Sequence, residues 1–350
     1  MEHPYRLLVV GCGLIAQEWL DVLQTREDCL IAGLADTNRE AAEERRRAYG
    51  LTCPVYTDFD QALEAVRPHI VIDLAYPGAH CDLTLRSLAA GCHVFGEKPM
   101  CMSREEGAAL LEAVKTSGLA FNVMQNRRYL PGIRALRHAV RSGRLGKIWT
   151  VCCEIYVNSD LRSVRNQLPY PMLQDQAIHS FDSARFILGA DAKTVYCHSY
   201  NPEGSHYRGD GSGACIFEMT DGSVLVYNAV MDTNVLRTSW HSQWRIIGSR
   251  GTALWDGFDG LPTAELLAED GAVERVRLEP PEEWNGLSWF AGAIDEMLGA
   301  LREGRVSENS CLYNYGSVAM TLAAIESAQA GRRVAVEDRP HGSKNPKNSF

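Results

Sequence analysis

The sequence predicts an α/β protein, with a doubly wound parallel sheet first and an α+β domain on a mostly antiparallel sheet after it. Up to residue 125, nearly continuous apolar runs alternate with helix-like segments, which is typical of a parallel sheet covered on both faces. Beyond residue 126, alternating strands and an Asp-Gly turn replace that rhythm. The 350 residues also exceed what one ordinary core supports, which favours two domains.

The first half contains five strand-like runs and five helix-like segments in alternation. The strand-like runs are 6–10, 29–35, 69–75, 92–96 and 119–124. The helix-like segments are about 14–25, 38–49, 58–67, 79–90 and 103–117. We therefore assign residues 1–125 to one domain with a parallel sheet.

The second half begins with a basic helix-like segment, IRALRHAVRSGRLGK, which leads into the strand-like run IWTVCCEIYVN. A helical stretch at about 172–188 ends in Gly189. Three strand-like runs follow, KTVYCHSYN, ACIFEMTDGSVLVYNAV and WRIIGSRGTALWDG, and then helical segments at about 288–302 and 311–330. We assign 126–337 to an α+β domain and the polar residues 338–350 to a flexible tail.

Composition excludes several classes of protein. Apolar residues make up 45% and charged residues 23%, and the net charge is -9 without a basic block, which is typical of a soluble protein that does not bind nucleic acid. No stretch is long and apolar enough to span a bilayer, and the first residues lack the basic region and long apolar core of a secretory signal. The eleven cysteines lack zinc-like or redox spacing. We therefore expect a reduced, cytoplasmic protein with no membrane partner.

The stretch Gly11-Cys12-Gly13-Leu14-Ile15-Ala16 is a GxGxxA arrangement between a predicted strand and a predicted helix. Gly11 permits a tight turn, Gly13 lets the backbone approach a pyrophosphate, and Ala16 allows close packing of helix on sheet. The helix N-terminus supplies N–H donors to the phosphates. This context predicts a dinucleotide-binding turn.

Asp36 ends the second strand at about the distance expected for the acidic residue that accepts from the ribose hydroxyls. The alternative is a surface aspartate that starts the next helix. A carboxylate here repels a 2′-phosphate, which favours NAD over NADP. Arg39 could stack on adenine or meet that phosphate, or be a solvated helix residue.

The fourth strand ends in VFGEKPM, and Glu97-Lys98-Pro99 resembles the signature of the Gfo/Idh/MocA oxidoreductases, the family of glucose–fructose oxidoreductase and inositol dehydrogenase. Three further stretches are similar to that family: YPGAHCDLTLRSLAAGCHV, NVMQNRRYLPGIRALRHAVRSGRLGKI and DQAIHSFDSARFILG. The resemblance implies an N-terminal Rossmann domain and a C-terminal domain with a large open sheet. It also implies a homo-oligomer, a dimer or tetramer, formed through that sheet.

The sequence departs from the family pattern at two places. Tyr76-Pro77 stands where Thr-Pro is usual, and YPMLQDQAIH lacks the usual glycines, with Gln176-Ala177 after Asp175. These departures concern the substrate more than the fold.

The glycine turn and the resemblance together define a set of NAD-binding candidates. They are Gly11, Gly13, Leu14, Ile15, Asp36, Thr37, Arg39, Ala75, Tyr76, Pro77, His80, Glu97, Lys98, Gln125 and Arg127. Within this set, Glu97 contacts the nicotinamide ribose or braces its loop, and His80 caps the following helix beside the cofactor.

Oxidation of an alcohol by NAD needs a base at the hydroxyl and a positive charge near the developing alkoxide. Asp175 and His179 are spaced i, i+4 on a helical stretch and share a face, and a histidine suits the base role. In the family, the residues matching Lys98, Asp175 and His179 are catalytic. A purely local Asp175–His179 hydrogen bond is the alternative. No third ligand stands at recognisable spacing, so we expect no metal.

The substrate-binding candidates are Lys98, Asp175 and His179 and, in addition, Arg128 and Tyr156. For Arg127 and Arg128 the alternative is an interdomain salt bridge, and for Tyr156 an aromatic on the sheet face. Asp182, three residues beyond His179, orients the imidazole or makes a structural bond.

These observations predict an NAD(P)-dependent dehydrogenase acting on a ring hydroxyl of a sugar, sugar derivative or cyclic polyol. Two alternatives stay open. A redox-neutral enzyme would cleave glycosides by transient oxidation with tightly bound NAD, using the same residues. A non-catalytic NAD(P) sensor could lose the lysine or histidine, whereas Lys98 and His179 are both present here.

Overall fold

The computed structural model describes residues 4–158 and 164–337, so the predicted tail at 338–350 lies outside the described residues. The strands are β1 Tyr5–Val10, β2 Cys29–Ala35, β3 Val55–Tyr56, β4 Ile70–Asp73, β5 His93–Gly96, β6 Phe121–Val123, β7 Ile148–Tyr156, β8 Ala192–Tyr200, β9 Ser212–Met219, β10 Val224–Val230, β11 Gln243–Gly248, β12 Gly251–Trp255, β13 Thr263–Leu267, β14 Val273–Arg277 and β15 Val334–Ala335. The α-helices are α1 Ile15–Leu23, α2 Arg39–Ala48, α3 Phe59–Val66, α4 His80–Ala89, α5 Arg104–Ser117, α6 Pro131–Arg141, α7 Ile178–Leu188, α8 Trp289–Glu303 and α9 Cys311–Ala330. Among the helices of the described ranges, none is long and apolar enough to cross a bilayer.

The first compact unit contains a six-stranded sheet of order β3-β2-β1-β4-β5-β6, with every pair parallel. Leu7, Leu8 and Val9 of the central strand β1 are completely buried, which the near-continuous apolar run predicts for a strand covered on both faces. This order is the doubly wound Rossmann topology, and the fold prediction is confirmed. The two-residue strand β3 was not predicted, because a run so short leaves no periodicity.

The register of this sheet aligns the carboxyl ends of its strands. Val10 lies beside Ala35 on one side and Asp73 on the other. Asp73 in turn lies beside Gly96, and Gly96 beside Val123. The segments that follow these strands therefore leave the sheet at one edge, where ligands bind in open α/β sheets.

The segment Phe290–Tyr315 belongs to the first unit, with residues up to Asn126. The Phe290 ring meets Trp19 edge-on, with a centroid separation of 6.2 Å. The backbone N–H of Val123 donates to Asn309 at 2.8 Å, which extends the hydrogen bonding of strand β6. The sequence predicts this segment to belong to the C-terminal domain. The structure assigns it to the first unit instead, because these contacts join residues far apart in the chain.

The second unit comprises Arg127–Trp289 and the residues from Gly316 onward. Its nine-stranded sheet has the order β14-β13-β12-β11-β7-β10-β9-β8-β15. Among the strand pairs within the described residues of this sheet, only β7–β10 is parallel, so the predicted large and mostly antiparallel sheet is confirmed. The predicted Asp-Gly turn joins β9 to β10, with Gly222 at φ +87°. Strands β13 and β14 were missed, because their short segments carry little apolar signal.

One face of this sheet packs against α7. The Phe181 ring lies 4.8 Å from that of Phe217 and 5.1 Å from that of Tyr227, both edge-on. Side chains alternate between faces along a strand, so the neighbours of Phe217 and Tyr227 point the other way. We call that other side the outer face. Its residues include Tyr196, Ile216 and Val226, which lie side by side in register.

Candidate functional site

Gly11 occupies a position that only glycine can take. Its φ is +91°, a left-handed value that side chains disfavour. A Cβ here would lie 2.6 Å from both the carbonyl carbon and the carbonyl oxygen of Leu74. The Gly11 N–H donates to the Ala35 carbonyl at 2.8 Å. The turn is thereby held close against two neighbouring strands.

Gly13 faces open space. A Cβ at this position would meet nothing within 4 Å. Leu14, at the N-terminus of α1, is 86% exposed and makes no side-chain capping bond, whereas Ala16 is fully buried. An uncapped helix start beside an open glycine has the donors and the space that a pyrophosphate requires, so the residues of this turn fit NAD.

Asp36 holds the glycine turn. Its Oδ2 accepts from the Cys12 N–H at 2.7 Å, and its Oδ1 accepts from the Asn38 N–H at 2.8 Å. Asn38, and not Asp36, caps helix α2 by accepting from Glu40. The carboxylate has further lone pairs for a ribose hydroxyl. Arg39 is exposed and lies 3.5 Å from the Glu43 carboxylate, which favours its alternative as a solvated helix residue.

Asp73 and His80 form a buried pair at the carboxyl end of β4. His80 Nδ1 lies 2.9 Å from Asp73 Oδ2, and Asp73 Oδ1 accepts from the Ala75 N–H at 3.1 Å. Burial lowers the pKa of His80, but the charge of Asp73 and its hydrogen bond outweigh burial and raise the pKa above its usual value. Asp73 is not among the site residues predicted from the sequence. A lone acid at the end of an otherwise apolar strand is the signal that could have found it.

Glu97 follows strand β5 and braces its loop. Its Oε1 accepts from Trp19 Nε1 at 2.8 Å, and its Oε2 accepts from the Lys98 N–H at 3.3 Å. Burial raises the pKa of Glu97, although the Trp19 bond and the charge of Lys98 oppose this. Lys98 itself is half-buried. The observed contacts of Glu97 thus support its bracing alternative.

Most NAD-binding candidates follow strands of the first sheet at its carboxyl edge. Strand β1 is followed by Gly11, Gly13, Leu14 and Ile15, β2 by Asp36 and Thr37, β4 by Ala75, Tyr76, Pro77 and His80, β5 by Glu97 and Lys98, and β6 by Gln125. Tyr76 is 70% exposed. Pro77 is exposed as well, whereas Gln125 is buried. Arg127 lies in the second unit.

Asp175 lies in a π-helical segment, Met172–Ala177, that runs directly into α7. Asp175 and His179 are both half-buried, while the three residues between them are buried. The Ser183 hydroxyl donates to the His179 carbonyl at 2.8 Å. π-Helical segments are rare and occur frequently at functional sites. The sequence predicts one helical stretch over about 172–188 and does not indicate the π-helical part, because composition does not reveal an inserted residue.

Arg127 is clamped by Gln176. With the amide oxygen facing the guanidinium, Gln176 accepts from Arg127 Nη2 at 2.7 Å and Nη1 at 3.0 Å. Burial lowers the pKa of Arg127 to about 10. In the sequence, Gln176 is only a departure from the family pattern, and nothing in its spacing predicts this contact. It ties the π-helical segment to the start of the second unit.

Arg128 makes a buried, bidentate ion pair with Asp182. Its Nε and Nη2 donate to the two carboxylate oxygens, each at 2.6 Å, and the Ser317 hydroxyl donates to Asp182 at 2.8 Å. This geometry supports a salt bridge for Arg128, although within the second unit. It likewise supports the structural alternative for Asp182.

Tyr156 lies on the outer face of the second sheet. Its hydroxyl accepts from Asn228 Nδ2 at 2.8 Å, and Asn228 neighbours the inner-face residue Tyr227. The helix that carries His179 packs against the opposite face. This position supports the alternative for Tyr156, an aromatic on the sheet face. Within the described residues, no group of three or more metal-ligating side chains occurs.

Two family models match this chain. Residues 5–125 match the oxidoreductase family with an NAD-binding Rossmann fold, and residues 133–254 match the GFO/IDH/MocA C-terminal domain. An inositol 2-dehydrogenase of Rhizobium meliloti (strain 1021) is 30% identical over 350 residues, which cover 95% of this chain and 99% of that protein.

A D-glucoside 3-dehydrogenase of Escherichia coli (strain K12) is 27% identical over 217 residues, or 58% of this chain and 60% of that protein. Among solved structures, an oxidoreductase from Agrobacterium radiobacter in complex with NAD+, L-tartaric acid and magnesium has a TM-score of 0.84 at 19% identity. That match covers 95% of this chain and 98% of the other, and it shows a shared fold.

Proposed function

This chain belongs to the Gfo/Idh/MocA family of NAD-binding oxidoreductases that act on sugars or polyols, and we propose that it transfers a hydride between NAD and a ring hydroxyl of its substrate. The substrate is a sugar, a sugar derivative or a cyclic polyol similar to inositol. The observation that carries the proposal is the π-helical segment with Asp175 that leads into His179, in a chain that also retains Lys98.

NAD supplies the hydride acceptor for this reaction when it is bound. The turn from Gly11 to Ala16 binds its pyrophosphate through backbone N–H groups and the start of α1. Asp36 accepts from the ribose hydroxyls while it holds the turn through the Cys12 N–H. The chain's own groups then act on the alcohol.

His179 removes the proton from the reacting hydroxyl, because a neutral imidazole is a competent base near neutral pH. Asp175 orients the imidazole or the substrate hydroxyl. Lys98 brings positive charge to the oxygen as the alkoxide develops, which lowers the barrier electrostatically. The clamp between Gln176 and Arg127 keeps the π-helical segment in place.

The test of this function is NADH formation, followed by absorbance, with purified protein, NAD and a panel of inositols, sugars and glycosides. Turnover with one class of polyol or sugar is expected. If NADH binds tightly but no member of the panel reduces NAD, net dehydrogenation is wrong. The same mixtures should then be assayed for released aglycone.

We further propose that Asp36 makes the protein prefer NAD over NADP. Asp36→Asn keeps an acceptor for the Cys12 N–H but removes the negative charge that a 2′-phosphate would meet. The ratio of NADPH to NADH dissociation constants, measured by fluorescence titration, is expected to fall roughly tenfold. Glu44→Gln, which removes one charge from the exposed side of α2, is the matched control. An unchanged ratio in Asp36→Asn contradicts this role.

The outer face of the second sheet is proposed to form the contact between subunits of a homo-oligomer. Tyr196, Ile216 and Val226 form an apolar row there, and Ile216 is 49% exposed in the single chain. Solvent-exposed apolar rows on a sheet indicate association. Ile216→Arg should therefore lower the mass measured by light scattering to a fraction of the wild-type value. Val306→Arg, an exposed apolar site in the first unit, should leave the mass unchanged. A monomeric wild-type protein contradicts the proposal.

A further inference from the structure

Three consecutive arginines lie in the last turn of α2, and the first of them, Arg45, has different partners from the other two. Arg46 pairs with Glu43 at 2.7 Å and Arg47 with Glu40 at 2.8 Å, so both bind carboxylates of α2 itself. Within residues 4–158 and 164–337, no carboxylate lies at ion-pair distance from Arg45. The charge of Arg45 is therefore not neutralised by direct pairing.

The guanidinium of Arg45 instead binds the glycine turn. Its Nη2 donates to the Gly13 carbonyl at 2.9 Å, and its Nε donates to the Cys12 carbonyl at 3.4 Å. Asp36 Oδ2 accepts from the Cys12 N–H at 2.7 Å. Cys12 is thus held at its N–H by an acid and at its carbonyl by a base, and both come from the segment that follows β1.

Tyr49 holds the guanidinium in this position. The Cζ atom of Arg45 lies 6.0 Å from the centroid of the Tyr49 ring, at i, i+4 spacing. The Tyr49 hydroxyl donates to Asp21 Oδ1 of α1 at 2.6 Å. Arg45 is therefore ordered between α1 and α2, and little rotamer entropy is lost when a ligand binds beside it.

The bond from Arg45 fixes the direction of one peptide N–H. In a trans peptide the carbonyl and the N–H of the next residue point to opposite sides. With the Gly13 carbonyl held by Arg45, the Leu14 N–H points away from the guanidinium, and it has no hydrogen-bond partner among the described residues. A charged donor on the carbonyl polarises the peptide group and strengthens this N–H as a donor.

We propose that Arg45 is a positioning residue for the pyrophosphate of NAD. It holds the Gly13–Leu14 peptide group so that the N–H donates to the phosphates, and it places a positive charge on the carbonyl side of the same group. It acts through the turn and not by contact with the cofactor. Because Asp36 puts a negative charge on this turn, Arg45 also offsets its repulsion of the phosphates. The inference concerns NAD binding alone and does not depend on the substrate.

The experiment measures binding with three probes: NADH by fluorescence, and ADP and adenosine by calorimetry. Arg45→Met removes the charge and both donors but keeps an unbranched side chain. It is expected to bind NADH and ADP, which both contain a pyrophosphate, about tenfold more weakly. Adenosine, which has no phosphate, should bind within twofold of wild type. Arg45→Lys keeps the charge and one donor and should recover most of the lost affinity.

Arg46→Met is the matched control, because it removes the same charge from the next residue of α2, whose partner is Glu43. It should leave the dissociation constants of NADH and ADP within twofold of wild type. Equal losses in Arg45→Met and Arg46→Met, or unchanged NADH binding in Arg45→Met, overturn the proposal. So does an equal loss for adenosine, which indicates a merely structural role.

If Arg45→Met does not fold, Arg45→Gln replaces it, because it keeps a neutral donor for the Gly13 carbonyl. Unchanged NADH binding in Arg45→Gln is then the contrary result. These titrations need no turnover. A protein that reduces no NAD with any substrate of the panel therefore contradicts the proposed reaction and leaves the assignment of Arg45 to be decided by the dissociation constants.

Discussion

Replacement of His179 by asparagine is expected to lower kcat by a factor of about 10²–10⁴, the range typical of a lost general base. Asparagine keeps a polar side chain at the half-buried position of His179, but it cannot take a proton near neutral pH. NADH binding should stay within about twofold of wild type, because the NAD-binding turn belongs to the first unit. The measurement is steady-state NADH formation with the best substrate of the panel, paired with a fluorescence titration of NADH.

His138→Asn is the control for this variant, since His138 is an exposed histidine on α6 of the same unit. It should leave kcat unchanged. Turnover by His179→Asn at the wild-type rate would exclude His179 as the base. A parallel loss of NADH binding would indicate a structural role instead.

The two glycines of the dinucleotide-binding turn are expected to fail in different ways. Gly11→Ala forces a Cβ to within 2.6 Å of the Leu74 backbone at a φ of +91°. Backbone strain and overpacking should together destabilise the first unit by roughly 2–5 kcal/mol. Gly13→Ala meets nothing within 4 Å, so its melting temperature should be close to that of wild type. Its Cβ instead occupies the space that a pyrophosphate needs, and NADH affinity should fall roughly tenfold or more.

Thermal unfolding without ligand and NADH titration separate these two outcomes. Gly50→Ala is a control for a positive φ alone, because Gly50 has φ +60° with open space around it. It should cost less stability than Gly11→Ala and leave NADH affinity unchanged. If Gly13→Ala binds NADH like wild type, the pyrophosphate does not approach the turn at Gly13. If Gly11→Ala melts like wild type, the close contact with the Leu74 backbone does not exclude a side chain at this position.

The sequence alone determined the fold class, and it located the glycine turn for which we propose NAD binding. Nearly continuous apolar runs that alternate with helix-like segments predict a parallel sheet. The signal is local to each segment, because a strand buried on both faces must be apolar throughout its length. The GxGxxA turn and Asp36 are equally local features, since the role proposed for them depends on backbone geometry between one strand and the next helix. The Asp-Gly hairpin of the second sheet could be predicted from the sequence for the same reason.

Only the tertiary structure assigned Phe290–Tyr315 to the first unit and Tyr156 to the outer face. Both results depend on contacts between residues far apart in the chain, such as Trp19 with Phe290 and Tyr156 with Asn228. The structure also distinguished the two arginines that the sequence presents as neighbours. Arg128 is neutralised by Asp182, whereas Arg127 meets the uncharged amide of Gln176.

The buried polar groups show most clearly what cannot be predicted from the sequence. His80 reads as a helix-capping residue and Asp73 as an irregularity in an apolar strand, and nothing in their spacing couples them. Folding brings them to 2.9 Å and buries both, so that one imidazole nitrogen is held by the carboxylate. A sequence specifies which groups can ionise or donate, but their burial and partners, which decide what they do, exist only once distant strands are packed together.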